Sequence, residues 1–243
     1  MKPFLLLASR AEDAAADDEY LAYLRYTGLA EAQLHRIRME AAPLPLLELS
    51  EYSGVIVGGS PFTSSDPAEH KSGTQHRVER ELFALLDRIV AEDFPFLGAC
   101  YGVGTLGLHQ GAVIDRTYGE GLGGVTVSMT SAGQQDPLLR GLPEQFTAFV
   151  GHKEACTVLP GGAVLLASSE ACPVQMFRIR SNLYATQFHP ELDVQGLTTR
   201  IDIYRHAGYF PPDSAEELMA QARQHNVTEP MAILRNFVER YAR

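Results

Sequence analysis

A short apolar run, Phe94-Pro-Phe-Leu-Gly98, leads directly into Gly98-Ala-Cys100-Tyr-Gly102. Apolar residues followed at once by a glycine-flanked cysteine describe a strand that ends in a sharp turn and opens a helix. Glycines two before and two after Cys100 permit that turn without steric clash. The turn presents the sulfur, and a helix N-terminus beneath it is expected to favour the thiolate, the reactive form. Taken alone, the same pentapeptide also suits a small buried cysteine in a tight turn.

The rest of the chain supplies elements to surround this unit. Pro3-Phe-Leu-Leu-Leu-Ala8 is short, continuous and apolar, the pattern of a buried strand. Asp17 and Asp18 stand ahead of Tyr20, Leu21, Tyr23 and Leu24 as caps stand ahead of a helix. Val55-Ile-Val57 is another β-branched run, ended by Gly58-Gly59, and the polar stretch Ser60 to Gln75 after it is long enough to be a lid. Val78, Leu82, Phe83, Leu86, Ile89 and Val90 then recur at helical spacing. Beyond the cysteine, Val125–Val127, Phe146–Val150, Val164–Leu166, Val174–Phe177 and Tyr184–Phe188 alternate with turn signals. A final helix is expected with Thr228 as N-cap and Pro230 just inside, its face lined by Met231, Leu234, Val238 and Tyr241. Strand–helix alternation first and hairpins later predict an α/β fold, a central mostly parallel sheet with helices on both faces and an antiparallel extension. Residues 1–243 contain no repeat, low-complexity tract or linker and are expected to form a single domain.

Composition narrows the function classes. With 45% apolar and 21% charged residues the chain is globular rather than disordered. A net charge of −10 and the lack of a Lys/Arg cluster argue against a nucleic-acid partner. No apolar run approaches the roughly 20 residues that span a bilayer, and Arg10, Glu12 and Asp13 cut off Phe4–Ala8 too early for a signal peptide. Cys100, Cys156 and Cys172 are odd in number and lack CxxC spacing, which speaks against disulfides or a zinc site and for a reducing cytoplasm.

An activated cysteine needs a base, and the base needs a third group to fix its tautomer. Gln187-Phe-His189-Pro-Glu191, at the end of an expected strand, offers both. In extended chain, residues two apart point the same way, so Glu191 can reach the His189 ring.

The two elements together resemble the class I, triad-type glutamine amidotransferases, most closely the amidotransferase part of GMP synthetase and its free-standing relatives. The resemblance also covers Gly58-Gly59 and Pro173-Val-Gln-Met-Phe177. It implies a flavodoxin-like amidotransferase fold and a Cys100–His189–Glu191 triad. Cys100 would attack the glutamine side-chain amide, His189 would protonate the departing ammonia, and Glu191 would orient His189. It further implies an oxyanion hole from the backbone amides of Gly59 and Tyr101, with Gly58 and His152 as candidate substrate contacts. One departure stands out: the family's elbow continues with a substrate-holding Gln where this chain has Gly104.

The resemblance implies a small-molecule substrate, no cofactor or metal, and ammonia released for a separate acceptor protein. Gly104 and the long Ser60–Gln75 loop motivate an alternative, a peptidase for γ-glutamyl peptides or conjugates. A third possibility is a partner-dependent protein without turnover of its own. Gly102-Val-Gly-Thr-Leu-Gly107 matches a dinucleotide-binding pattern, but no strand ending in an acidic residue follows at the usual distance, and His189 would be left unexplained.

Overall fold

The computed structural model describes residues 1–206 and 210–243. Its first half alternates β1 (Phe4–Ala8), α1 (Asp13–Thr27), β2 (Leu34–Arg38), β3 (Gly54–Val57), α2 (Gly73–Glu92), β4 (Phe96–Ala99) and α3 (Tyr101–His109). Then come β5 (Val113–Asp115), β6 (Glu120–Met129), α4 (Ser131–Gln135), β7 (Gln145–His152) and β8 (Ala155–Val158). The chain closes with β9 (Val164–Ser168), β10 (Met176–Ile179), β11 (Leu183–Thr186), α5 (Val194–Ile203), α6 (Ala215–Ala222) and α7 (Met231–Tyr241).

Among the described residues, nine strands form one sheet in the order β2-β1-β3-β4-β11-β10-β9-β6-β7, while β5 pairs with β8 apart from it. The five strands from β2 to β11 run parallel, and from β11 to β7 each neighbour is antiparallel. The α/β architecture with a parallel core and an antiparallel extension is thus as expected.

The buried strands have two apolar faces because successive side chains point to opposite sides. Leu5, Leu7, Val55, Val57 and Phe96 face α2, meeting Val78, Leu82, Leu86 and Ile89. Phe4, Leu6, Ile56 and Leu97 face the other way, onto Tyr23 of α1 and Ile233, Leu234 and Phe237 of α7. No helix among the described residues is long and apolar enough to cross a membrane.

Several local expectations are corrected. Helix α1 begins four residues before Asp17, which instead pairs with Arg36 at 2.7 Å. Helix α7 starts at Met231 with Pro230 as its N-cap, so the cap does not fall at Thr228. Strand β2, Leu34-His-Arg-Ile-Arg38, is an edge strand with mostly polar residues and gives no apolar signature. The Gly102–Gly107 pattern lies inside α3, so its backbone forms helix rather than a phosphate-binding loop.

Parallel strands place their C-terminal ends along one edge of the sheet, where ligands bind in folds of this kind. Arg10 follows β1, Gly58-Gly59 follows β3, Cys100 follows β4, and His189 follows β11.

Candidate active site

Strand β4 ends at Ala99 and α3 begins at Tyr101, so Cys100 alone makes the turn. It does so at φ 53° and ψ −84°, a positive φ that a residue with a side chain rarely adopts. Its backbone is held by hydrogen bonds from Cys100 N to Thr186 O (2.7 Å) and from Val103 N to Cys100 O (2.9 Å). Gly98 answers a close approach: a β-carbon there would lie 2.6 Å from Gly102 Cα.

His189 reaches the same place through strand register. Ala99 of β4 pairs with Thr186 of β11, and the chain beyond carries Gln187 and His189 alongside the cysteine. Gln187 Nε2 lies 4.0 Å from Cys100 Sγ. His189 Nδ1 and Glu191 Oε1 are 2.8 Å apart, with Glu191 fully buried. The structure therefore brings the three residues anticipated as a triad to one site.

Behind them lies a buried charge cluster that inspection of the sequence missed. Arg200 Nη2 donates to Glu191 Oε1 at 2.9 Å and contacts Glu19 Oε1 at 3.5 Å, and its Nη1 sits 3.2 Å from His189 Nδ1. Arg10 Nε donates to the same Glu19 oxygen at 2.9 Å, and Arg10 Nη1 to the Tyr204 hydroxyl at 3.3 Å. The cluster explains both glycines after β3. A β-carbon at Gly58 would meet Glu19 Oε2 at 2.8 Å, and one at Gly59 would meet His189 Cε1 at 2.5 Å.

Electrostatics set the resting protonation. Burial pushes the Cys100 thiol up to about 12; Arg10 draws it down, while Glu154 and Glu191 raise it further. Burial thus works against the thiolate expected from the helix N-terminus, because a charged sulfur loses its solvation. Burial also lowers His189, against the pull of Glu191. Burial opposes charge on Glu191, but His189 and Arg200 outweigh it and hold the carboxyl well below the usual carboxylate range. A neutral thiol beside a neutral imidazole, backed by a carboxylate, is equipped to transfer a proton at the moment of attack.

Two narrow cavities adjoin Cys100, with Ser60 and Gly151 also lining both. One, of about 40 Å³, is lined by Cys100 and His189 together with Arg10, Arg200 and Tyr204 and the apolar Leu122, Val150 and Leu192. The other, of about 20 Å³, is lined by Cys100 with Phe62, Thr63, Tyr101, His152, Glu154 and Gln187. Glu154 accepts the backbone N–H groups of Ser64 (2.9 Å) and Ser65 (2.6 Å), tying down the loop anticipated as a lid. Lys71 Nζ and Gln75 Nε2 hold it too, through Ser64 O at 2.7 Å and Thr63 O at 2.9 Å.

The class-I glutamine amidotransferase family model matches residues 19–201. The chain belongs to this family. A glutamine-hydrolyzing GMP synthase subunit of Methanoculleus marisnigri is 36% identical over 99 residues, 40% of this chain and 52% of that protein. The corresponding protein of Thermoplasma volcanium is 33% identical over 126 residues, 50% of this chain and 61% of that protein. The chain thus spans about half to three fifths of these relatives. A glutamine amidotransferase from Thermotoga maritima shares the fold at a TM-score of 0.78 and 21% identity, covering 99% of this chain and 98% of that one. One from Methylobacillus flagellatus does so at 0.72 and 18% identity, covering 100% and 96%.

Within the amidotransferase, the departure at Gly104 has a structural counterpart. A β-carbon there would come within 2.6 Å of both Glu154 Oε1 and Ser64 Oγ, so these two groups fill the space into which a side chain would project. His152 borders the second cavity, but its Nδ1 faces Glu154 O and its Nε2 faces Glu120 Oε2, each at 2.9 Å. The donor atoms of Glu120, His152 and Cys172 lie within 4.8 Å of one another, a metal-compatible grouping whose side chains are engaged by protein partners. Cys156 and Cys172 are buried and free.

Arg10 had one legible signal, a cation directly after a buried strand at the sheet edge where ligands bind. Glu19 and Arg200 had none, since a charged residue on a helix ordinarily faces solvent.

Proposed function

We propose that this amidotransferase hydrolyses the side-chain amide of glutamine through a γ-glutamyl thioester on Cys100, residues 1–243 acting as a single domain. One observation carries the reading: the strained cysteine at the end of β4 shares a cavity with a histidine whose Nδ1 is bonded to a buried carboxylate.

On substrate binding, the thiol proton passes to His189 as Sγ bonds the amide carbon. The backbone N–H groups of Gly59 and Tyr101 receive the developing oxyanion; Tyr101 opens α3, where an N–H has no intrahelical acceptor. Glu191 steadies the imidazolium without taking its proton. The C–N bond then breaks, His189 returns the proton to the leaving nitrogen, and water, deprotonated by His189, releases glutamate. The GMP synthase relatives, which are subunits of a larger enzyme by name, motivate a separate acceptor protein for the ammonia.

A second reading, hydrolysis of γ-glutamyl peptides or conjugates, draws support from Glu154 and Ser64 filling the space beside Gly104. Wild type and Cys100→Ala, each given glutamine and a γ-glutamyl dipeptide, separate these. Cys100-dependent ammonia release from glutamine supports the first and turnover of the dipeptide alone the second. Silence on both would overturn independent hydrolysis and leave turnover dependent on a partner.

A further inference from the structure

Arg10 carries a nitrogen that the buried cluster leaves unused. Its Nε and Nη1 are bonded to Glu19 and Tyr204, while Nη2 makes no hydrogen bond among the described residues. Nη2 lies beside Gly59, where a β-carbon would come within 2.7 Å of it and 2.5 Å of His189 Cε1. Arg10 lines the cavity that Cys100 shares with His189, and only 5% of its surface is exposed. Arg200 lines the same cavity, and its Nε is buried without a hydrogen-bond partner. A guanidinium cannot shed its charge, so unused donors on a buried one are costly unless an acceptor meets them. The group that fits its planar fork is a carboxylate.

The side of the sulfur on which these donors lie decides which part of a ligand reaches them. His189 lines this cavity and not the one that holds Glu154. The group expelled in thioester formation takes its proton from His189, so it departs on the Arg10 side. The acyl half is left to the other side, where the Glu154 carboxylate matches an α-ammonium group. Ammonia as a leaving group has no use for two guanidiniums or for the apolar wall of Leu122, Val150 and Leu192.

We infer that Arg10, with Arg200 beside it, forms a carboxylate subsite for the leaving group, and that the preferred substrates are γ-glutamyl amides of small amino acids. This rests on the second reading above, thioester hydrolysis of γ-glutamyl peptides or conjugates. Cys100 Sγ bonds the γ-carbonyl carbon and the C–N bond breaks. The thiol proton reaches the departing nitrogen through His189, and the amino acid leaves with its carboxylate intact. Water then cleaves the thioester to give glutamate.

γ-Glutamylglycine and γ-glutamylethylamide share the acyl half and differ in the leaving-group carboxylate. Binding of each to Cys100→Ala by calorimetry, and turnover of each with Cys100 intact, are compared for Arg10, Arg10→Gln and Arg10→Lys. The glycine compound is expected to lead by about tenfold or more in both affinity and kcat/KM. Arg10→Gln should bring both ratios near one, and Arg10→Lys, which keeps a cation for Glu19, should restore them in part. If Arg10→Gln does not fold, Arg10→Lys carries the test by weakening the glycine compound selectively. Equal behaviour of the two compounds in wild type, or ratios untouched by either substitution, would overturn the subsite. An equal loss on both would place the shared α-carboxylate at Arg10 and overturn it as well. Preferential binding without turnover would keep the subsite and discard the hydrolysis; turnover without preference would do the reverse, and neither binding nor turnover would discard both.

Discussion

The imidazole of His189 packs directly on Gly59, leaving no room for a β-carbon, which would fall 2.5 Å from Cε1. Gly59→Ala is therefore expected to displace the ring from Cys100, and with it the Arg10 guanidinium. A shift of about 1 Å at a catalytic group costs on the order of 100-fold, so kcat/KM for amide hydrolysis should fall by about that factor while the circular dichroism spectrum is retained. A rate close to wild type would show that the ring tolerates the displacement.

Glu191 is hydrogen-bonded to both His189 and the buried Arg200. Glu191→Ala removes the 2.9 Å carboxylate partner of Arg200 and leaves it the longer 3.5 Å contact to the Glu19 carboxylate. Removing one partner of a buried pair typically destabilises by about 3–5 kcal/mol. Urea unfolding should show a loss of that order, and hydrolysis should fall by less than in Cys100→Ala or His189→Ala, because in the proposed mechanism Glu191 orients the base rather than transferring the proton. Unchanged stability would mean that Arg200 finds another partner.

The pH dependence follows from two shifts of opposite sign. A thiol pushed up to about 12 gains thiolate only as pH rises toward that value, so alkylation of Cys100 by iodoacetamide should be slow at neutrality and still climbing at pH about 10. His189 lies below its ordinary value of 6.5, so the neutral base persists into mildly acidic solution. The acid limb of kcat/KM should therefore fall below pH 6.5, without a rising thiolate limb near neutrality. Fast alkylation at pH 7 that levels off by pH 8 would indicate a thiolate–imidazolium pair at rest instead.

Restoring the family's glutamine is expected to fail in this chain. Gly104→Gln would drive a side chain into Glu154 and Ser64, breaking the two backbone hydrogen bonds that hold residues 64 and 65. The KM for glutamine should rise by about tenfold, since a hydrogen bond to a charged group is worth about 1.5–3 kcal/mol. A lower KM would show that Glu154 can withdraw and that the space is available to substrate.

Some of this was legible without coordinates because it is local. Phe94–Gly98 running into Cys100 announces a strand and a turn within a few bonds, and Glu191 reaches His189 because both lie on one short extended segment. Chains that bury both faces of a strand also declare it by apolar content alone, as β1 and β3 do. The polar edge strand β2 and the short β5 and β8 escaped because strands that bury only a few of their residues have no such requirement.

The sequence by itself determined which groups can do chemistry: a cysteine at a forced turn, a histidine with its carboxylate, and the glycines that admit close packing. Tertiary structure alone decided what surrounds them. The parallel register of β4 against β11 sets Cys100 beside His189, although Gly98 and Ala185 are neighbours only across the sheet. Packing of α1 and α5 over the strand ends buries Glu19 and Arg200 behind the base. Burial around the sulfur raises the thiol against the pull of the helix N-terminus visible in the sequence, because the cost of desolvating a charge depends on everything within a few ångströms and not on chain neighbours.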